Sequence, residues 1–336
     1  MKNPLIFLLL FCVFVFPLAG FAEQAALPAL YTGQVRSDVK VYAQPDAASA
    51  GLGYVSKDKQ VEILEVEPDW LKIRSNGTLE GYIRRHTMVD TSVKTVNPEA
   101  TPQYSTMVCD WLAWAAREAP VLAEPSDSAE VLITMKEGAR LALIDIQDGW
   151  GRMIYHRQYA YINTNHLREI LPVNKAESAN SEAPVAAYTS FYRITTDESN
   201  LNRMVNLQVA CSRFELYTLA NGDILDFNKH IGPYSRRVGY LPANALVRGE
   251  TIQSYGGGTC QVSSTLYNTV LQMPGIAILK RRAHGPSAAS YLPHGADAAV
   301  GSITQNFIIQ NHYPFPIRID GTAQDGALTI AIYRAD

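Results

Sequence analysis

Cys260 is the residue of this chain whose neighbours best suit covalent chemistry. It follows Gly256-Gly257-Gly258 and Thr259. Glycine tolerates positive φ and lets another group come close to the backbone. The residues after it have helical spacing: Val262, Leu266, Val270 and Met273, ended by Pro274-Gly275. Thr259 is the expected N-cap, which puts Cys260 in the first helical turn. Free N–H groups and the helix dipole favour an anion there. For a cysteine that anion is the thiolate, the form that attacks carbonyl carbon. The same stretch could equally be a tight turn with a small packed cysteine. Residues 256–268 alone leave both readings open.

A thiolate nucleophile needs a base, and the base needs a group to orient it. His284 lies downstream across a turn and a strand, from where it could fold back on the helix. Asp297 could orient the imidazole, or it could be only a turn residue after Gly295. Backbone N–H groups around Gly258–Gln261 could form an oxyanion hole. Arg203, Arg281 and Arg282 are candidate carboxylate binders, because guanidinium pairs with carboxylate through two bonds. A zinc site of Cys260, His284 and His294 lacks the usual close ligand spacing. Ser263 and Ser264 lack the lysine that a serine acyl-enzyme would need. No metal or other cofactor is expected.

The chain has 336 residues, enough for two or three domains, with 47% hydrophobic and 18% charged residues. A net charge of −3 and the lack of a basic tract give no reason to expect nucleic acid as a partner. Residues 1–22 read as a signal peptide: Lys2, an apolar run Leu5–Phe16, and a small-x-small site Gly20-Phe21-Ala22. Cleavage would leave an extracytoplasmic chain starting at Glu23, with no stable membrane span. That chain keeps Cys109, Cys211 and Cys260. An odd count leaves one thiol over. If Cys109 and Cys211 bridge, Cys260 is the free one.

Residues 33–170 hold an internal repeat with a period of about 80. Val41-Tyr42-Ala43-Gln44-Pro45 matches Val121-Leu122-Ala123-Glu124-Pro125, Asp69-Trp70 matches Gly149-Trp150, and Gly81-Tyr82-Ile83 matches Ala160-Tyr161-Ile162. Runs such as Val61–Val66, Trp70–Arg74 and Leu141–Ile146 read as short strands, with turns at Asn76-Gly77, Gly138 and Asp148-Gly149. This predicts two small barrels, 31–90 and 106–170. Trp70, Tyr82, Trp150 and Tyr161 are either core or a ligand groove. Residues 91–104 and 171–187 read as linkers. Residues 188–336 form a third unit, with a helix expected within Asn206–Ala220, a hairpin turning at Gly249, and closing strands at Asn306–Gln310, Phe315–Asp320 and Ala327–Tyr333. That mixture predicts an α+β fold with a mainly antiparallel sheet.

The repeat, with its V-x-A-x-P start, its W-x-x-I/M strand and its closing G-Y-I, resembles bacterial SH3-like domains. The third unit resembles the VanW family, known by its association with vancomycin resistance. The resemblance rests on Asn202-Arg203 and Asn206, Phe227-Asn228, Gly232-Pro233 and Gly239-Tyr240, and most strongly on Gly256 through Asn268. Arg282, His284, Tyr291, Pro293, Gly295, Asp297 and Ala298 continue it. The chain departs from the pattern at Gly285 and His294.

The resemblance implies a multidomain chain: two all-β SH3-like barrels, then an α+β VanW-type domain. Some VanW members look like L,D-transpeptidases, with a cysteine nucleophile and a histidine base. It therefore ranks His284 above His294 and implies cysteine-dependent acyl transfer on peptidoglycan stem peptides. Cys260, His284 and Asp297 would be catalytic. Arg203, Gly256, Gly257, Gly258, Gln261, Ser263, Ser264 and Arg282 would bind substrate. The SH3-like domains would hold cell-wall polymer. Two rivals stand beside this reading: an envelope module that binds peptidoglycan or glycopeptide without catalysis, and a carboxypeptidase using the same residues.

Overall fold

The computed structural model describes residues 27–98, 100–174, 180–247, 250–285 and 289–335. The expected signal peptide and the Gly249 turn lie outside the described residues. Every strand pairing is antiparallel in the sheets that matter below. No helix among the described residues is long and apolar enough to cross a membrane.

The first β unit is one seven-stranded sheet curled over Val35, Val41, Ile63, Leu71, Ile73, Ile83 and Met88. Alternation sets its strands: Trp70–Ser75 and Gln60–Val66 point every second apolar residue inward. Residues 91–104, read as a linker, partly belong to this sheet, since Lys94–Thr95 pairs with Tyr31–Gln34.

In the second β unit, strands start at Ala119, Val131 and Trp150, where the first has Val39, Gly51 and Trp70. The repeat is therefore also a repeat of strand positions. One stretch departs from the expectation. Leu141–Ile146 is not one strand: Arg140–Leu143 pairs with Trp111–Ala115, and Asp145–Gln147 pairs with Trp150–Tyr155. The break at Ile144 divides the unit into a three-stranded and a five-stranded sheet.

The C-terminal part is built on a four-stranded sheet with Ala186–Phe191, Ala327–Arg334, Ile317–Gln324 and Thr218–Leu219 in that order. Three helices follow from the chain: α1 (Glu198–Ser212), α2 (Phe227–Ile231) and α3 (Thr259–Val270). The expected helix at Asn206–Ala220 is corrected to α1. Asp197 caps its start by accepting from the Asn200 amide at 2.9 Å. It stops at Ser212 because Phe214 and Leu219 go to a turn and a strand that face the core, with Leu216 at φ 59° between them.

Strand Ala186–Phe191 is buried along its whole length, so it is covered on both faces. On one face lies α3, joined through Ser190 and Thr265 at 2.7 Å. On the other lies the second β unit: the Ala142 amide donates to Thr189 Oγ1 at 2.8 Å, Thr329 Oγ1 donates to the Arg140 carbonyl at 2.7 Å, and Phe191 and Ala327 share that unit's core. Alanines at 186, 187, 327 and 331 allow the layers to approach. The stretch read as a 171–187 linker thus begins in a strand ending at Pro172 and ends inside a core, with Ala183, Val185, Ala186 and Ala187 buried.

Candidate active site

α3 is the core helix that its apolar spacing suggests, and it is buried at polar positions as well. Val262, Leu266 and Val270 are buried, and so are Ser263, Ser264, Thr265, Asn268 and Thr269. Buried polar groups must be paired. Thr265 and Thr269 donate back to the Gln261 and Thr265 carbonyls, and Asn268 donates to Ser264 and Ala296 at 2.7 and 2.6 Å.

The glycine turn before α3 is dictated by crowding. The N-cap position is Gly258, at φ 105°, and Thr259 is the first helical residue, a correction by one position. A Cβ on Gly257 would lie 2.4 Å from the Ala243 carbonyl oxygen, and one on Gly256, at φ 77°, would lie 2.6 Å from the Tyr234 ring. Asn206, fully buried on α1, locks the turn: it donates to the Gly257 and Leu241 carbonyls at 3.0 and 2.9 Å and accepts the Leu241 amide at 2.8 Å.

This turn presents Cys260 to a cavity of about 480 Å³ lined by residues that include Arg203, Tyr234, Asn244, Gly256–Gly258, His284, Tyr291, Val300 and Gln305. Cys260 is half-buried, and its Sγ meets the Val300 amide and carbonyl at 3.5 Å each. The Thr259 and Gln261 amides are spent on the Gly256 and Gly258 carbonyls. Among the described residues the Gly258 and Cys260 amides have no such partner.

His284 comes back to α3 and is gripped by Asp297, whose Oδ2 accepts the His284 amide at 2.7 Å and contacts Nδ1 at 2.6 Å. Burial works against a charge on His284. The bond to Asp297 and the neighbouring Cys260 sulfur outweigh it, and the pKa is raised to about 10. Asp297 is 4% exposed, and its burial is likewise overcome: the two bonds from His284, with Arg281 nearby, hold its pKa below the ordinary carboxylate value. A low-pKa carboxylate only accepts, so Nδ1 carries the proton shared with it. Nε2 is left for the sulfur side. Arg281 holds the other side of this loop by donating from Nε to the Asp297 carbonyl at 2.7 Å.

The other expected site residues divide. Arg203 lines the cavity, donates to Gln261 Oε1, and lies near Tyr291, Tyr192 and Cys260, with no carboxylate partner among the described residues. Gln261 is 1% exposed and acts as a strut, with its amide nitrogen on Ser190 Oγ and the Phe191 carbonyl. Ser263 and Ser264 are fully buried and bind Ala298, so they cannot reach substrate. Arg282 is exposed and is not among the residues lining the cavity; its backbone carbonyl takes the Ala299 amide. His294 lies away from Cys260, against Asp90 and His86 of the first β unit. No trio of His, Cys, Asp or Glu able to hold a metal occurs among the described residues. Cys109 and Cys211 do not bridge. Both are free, buried in different cores, and burial pushes each thiol up to about 12.

Tyr291, Tyr234, Asn244 and Val300 line the cavity without having been singled out as site residues. Tyr291 carried the only readable signal, its place in the motif after His284. A larger cleft of about 1040 Å³ lies between the β units, with Trp70 and Tyr161 in its wall. It contains no cysteine. Trp70 itself is 7% exposed and stacked under Arg84 at 4.1 Å.

Fold and site together define a β-module protein whose C-terminal α+β part carries a cysteine, a histidine and an aspartate at the start of one enclosed helix. Residues 202–333 match the family described as VanW like protein, and residues 37–89 match the bacterial SH3 domain. The C-terminal part is therefore a VanW-like domain, preceded by a bacterial SH3 domain. A Bacillus subtilis relative, the uncharacterized protein YoaR, is 34% identical over 140 residues, which are 42% of this chain and 46% of YoaR. The chain thus spans about half the length of that curated relative. Among solved structures, NlpC1 from Trichomonas vaginalis is 13% identical, with 93% of this chain and 95% of that one covered, at a TM-score of 0.17. An NlpC/P60 family protein from Bacillus cereus is 10% identical, with 90% and 99% covered, at a TM-score of 0.18. Scores this low carry no argument about fold or activity.

Proposed function

We propose that this is an exported envelope protein that carries out cysteine-dependent acyl transfer on peptidoglycan stem peptides, as an L,D-transpeptidase. Its functional units are residues 31–90, 106–170 and 188–336. The observation that carries the reading is the aspartate-held imidazole beside Cys260, lining a cavity together with Arg203, which has no carboxylate partner among the described residues.

The steps follow from the residues. Cys260 Sγ attacks the carbonyl between the third stem residue and the terminal D-Ala. The Gly258 and Cys260 amides face the oxyanion that forms. His284, charged at neutral pH, gives its Nε2 proton to the departing amine of D-Ala, leaving a thioester on Cys260. An amine of a second stem attacks the thioester and gives its proton to Nε2. The new amide leaves and the sulfur is restored. With water as acceptor the product is a tripeptide acid, and the protein is a carboxypeptidase. Arg203 pairs with a stem carboxylate. The SH3 part keeps the enzyme near polymeric substrate and raises its effective concentration.

Purified protein incubated with disaccharide-tetrapeptides, with products read by mass spectrometry, tests this beside Cys260→Ala and His284→Ala. Cross-linked dimers with D-Ala release, absent in both variants, are expected. Tripeptide alone replaces transfer by hydrolysis. No turnover, with equal binding by all three proteins, leaves the non-catalytic binding module.

A further inference from the structure

The loop 289–297 carries two residues of the site: Tyr291 in the cavity wall and Asp297 on His284. Much of what holds this loop comes from the two β units, far away in sequence. In the second unit, the hairpin between Trp150–Tyr155 and Gln158–Asn163 has His156-Arg157 at its tip. Arg157 donates to the Leu292 and Ala289 carbonyls at 3.3 Å each, and His156 Nδ1 approaches the Ser290 carbonyl at 3.4 Å. From the first unit, Asp90 reaches the same loop: its Oδ2 is 3.8 Å from His294 Nδ1 and would lie 3.0 Å from a Cβ on Gly295.

The repeat shows that the tip is unusual. The matching tip of the first unit has three residues, Asn76-Gly77-Thr78, between the paired Ser75 and Leu79, with Asn76 and Gly77 at positive φ. The second unit turns in only two residues, a histidine at φ 57° and an arginine, between the paired Tyr155 and Gln158. At this shorter tip both residues meet loop 289–297.

We propose that the two β units act as a clamp on the site, with Arg157 and Asp90 as positioning residues that set loop 289–297, and through it Tyr291 and Asp297, against Cys260 and His284. This rests on the acyl-transfer reading above. The β units are then part of the catalytic machinery's frame as well as a tether. Arg157 satisfies loop carbonyls that water would otherwise take. Losing it frees the loop with little change in global stability.

The test uses the full chain with Arg157→Ala, Asp90→Asn, the conservative Arg157→Lys, and Glu124→Ala as a control in the same cleft wall that makes no bond to the loop. Three quantities are read: amide exchange of the 289–297 segment, the titration of the His284 ring by NMR, and kcat against KM. Arg157→Ala is expected to speed exchange in the segment, lower the His284 titration midpoint, and cut kcat about tenfold to a hundredfold with KM little changed. Asp90→Asn is expected to act in the same direction. Arg157→Lys recovers part of it, and Glu124→Ala matches the wild type. Unchanged exchange overturns the clamp. Faster exchange with the His284 midpoint and kcat untouched also overturns it, since the loop would then be held without setting the site. Failure of the acyl-transfer reading shows separately, as no turnover by the wild type or as turnover retained by Cys260→Ala, while exchange and the His284 titration still decide the clamp.

Discussion

Asp297→Asn removes the charge that holds His284 while keeping the side chain's size. Against burial, Asp297 and the Cys260 sulfur raise the His284 pKa from an ordinary 6.5 to about 10, and its side chain is only 11% exposed. At about 1.4 kcal/mol per pH unit, that gap represents about 5 kcal/mol in favour of the imidazolium. Asp297 and the Cys260 sulfur supply it against burial. Burial stays when the aspartate goes. The His284 ring is therefore expected to titrate about 2 to 3 pH units lower in Asp297→Asn. Turnover is expected to fall by about 10²–10⁴-fold, the usual worth of a positioned acid and base. The assay is a ring-labelled histidine NMR titration, with the His284 signal assigned by its loss in His284→Gln. The stability consequence has a definite sign. A raised histidine pKa stabilises the fold fully below 6.5, and this is lost as pH rises through about 10. The lowered Asp297 pKa stabilises above 3.8 and is lost as pH falls through its folded value. Wild type should thus exceed Asp297→Asn most between about pH 4 and 6.5, with the difference fading toward pH 10. The same ring titration in both proteins would refute the reasoning.

Arg203→Ala should raise KM for a tetrapeptide about tenfold to a hundredfold with kcat less affected, because one charged pairing is lost; steady-state kinetics decide it. Asn206→Ala removes three bonds at the glycine turn and should cost about 2–4 kcal/mol in urea unfolding, with buried carbonyls left unpaired. Gly257→Ala should destabilise by about 1–3 kcal/mol in the same measurement, since backbone must move to admit a methyl group. Iodoacetamide should label Cys260 in the native chain and reach Cys109 and Cys211 only after unfolding, with no mass change on prior reduction, since all three thiols are free; intact mass spectrometry reads it.

The local elements were legible where one face decides the pattern. Alternation marked Trp70–Ser75 and Gln60–Val66, and the match of Trp70 with Trp150 marked the repeat that recurs in the strand positions. The turn before α3 was legible because only glycine fits beside the Ala243 carbonyl and the Tyr234 ring. The start of α1 was missed because Asp197, a cap, precedes a segment with little apolar periodicity. Ser263, Ser264 and Gln261, expected to meet substrate, bond to backbone within the fold, and of the three only Gln261 also lines the cavity. A polar residue in a motif looks the same in sequence whether it meets a ligand or the Ala298 and Phe191 backbone.

The sequence by itself determined the strand periods, the glycine turn and the helix that follows it, since these depend on neighbours a few residues apart. Tertiary structure alone decided that Cys109 and Cys211 sit in separate cores, that His284 bonds to Asp297 while His294 only lies near Asp90, and that the second β unit packs on the C-terminal sheet. Those outcomes depend on which buried surfaces meet and which polar groups find a partner when they do. Contacts between residues more than a hundred positions apart, such as Arg157 with Leu292, leave no periodic trace in a single chain.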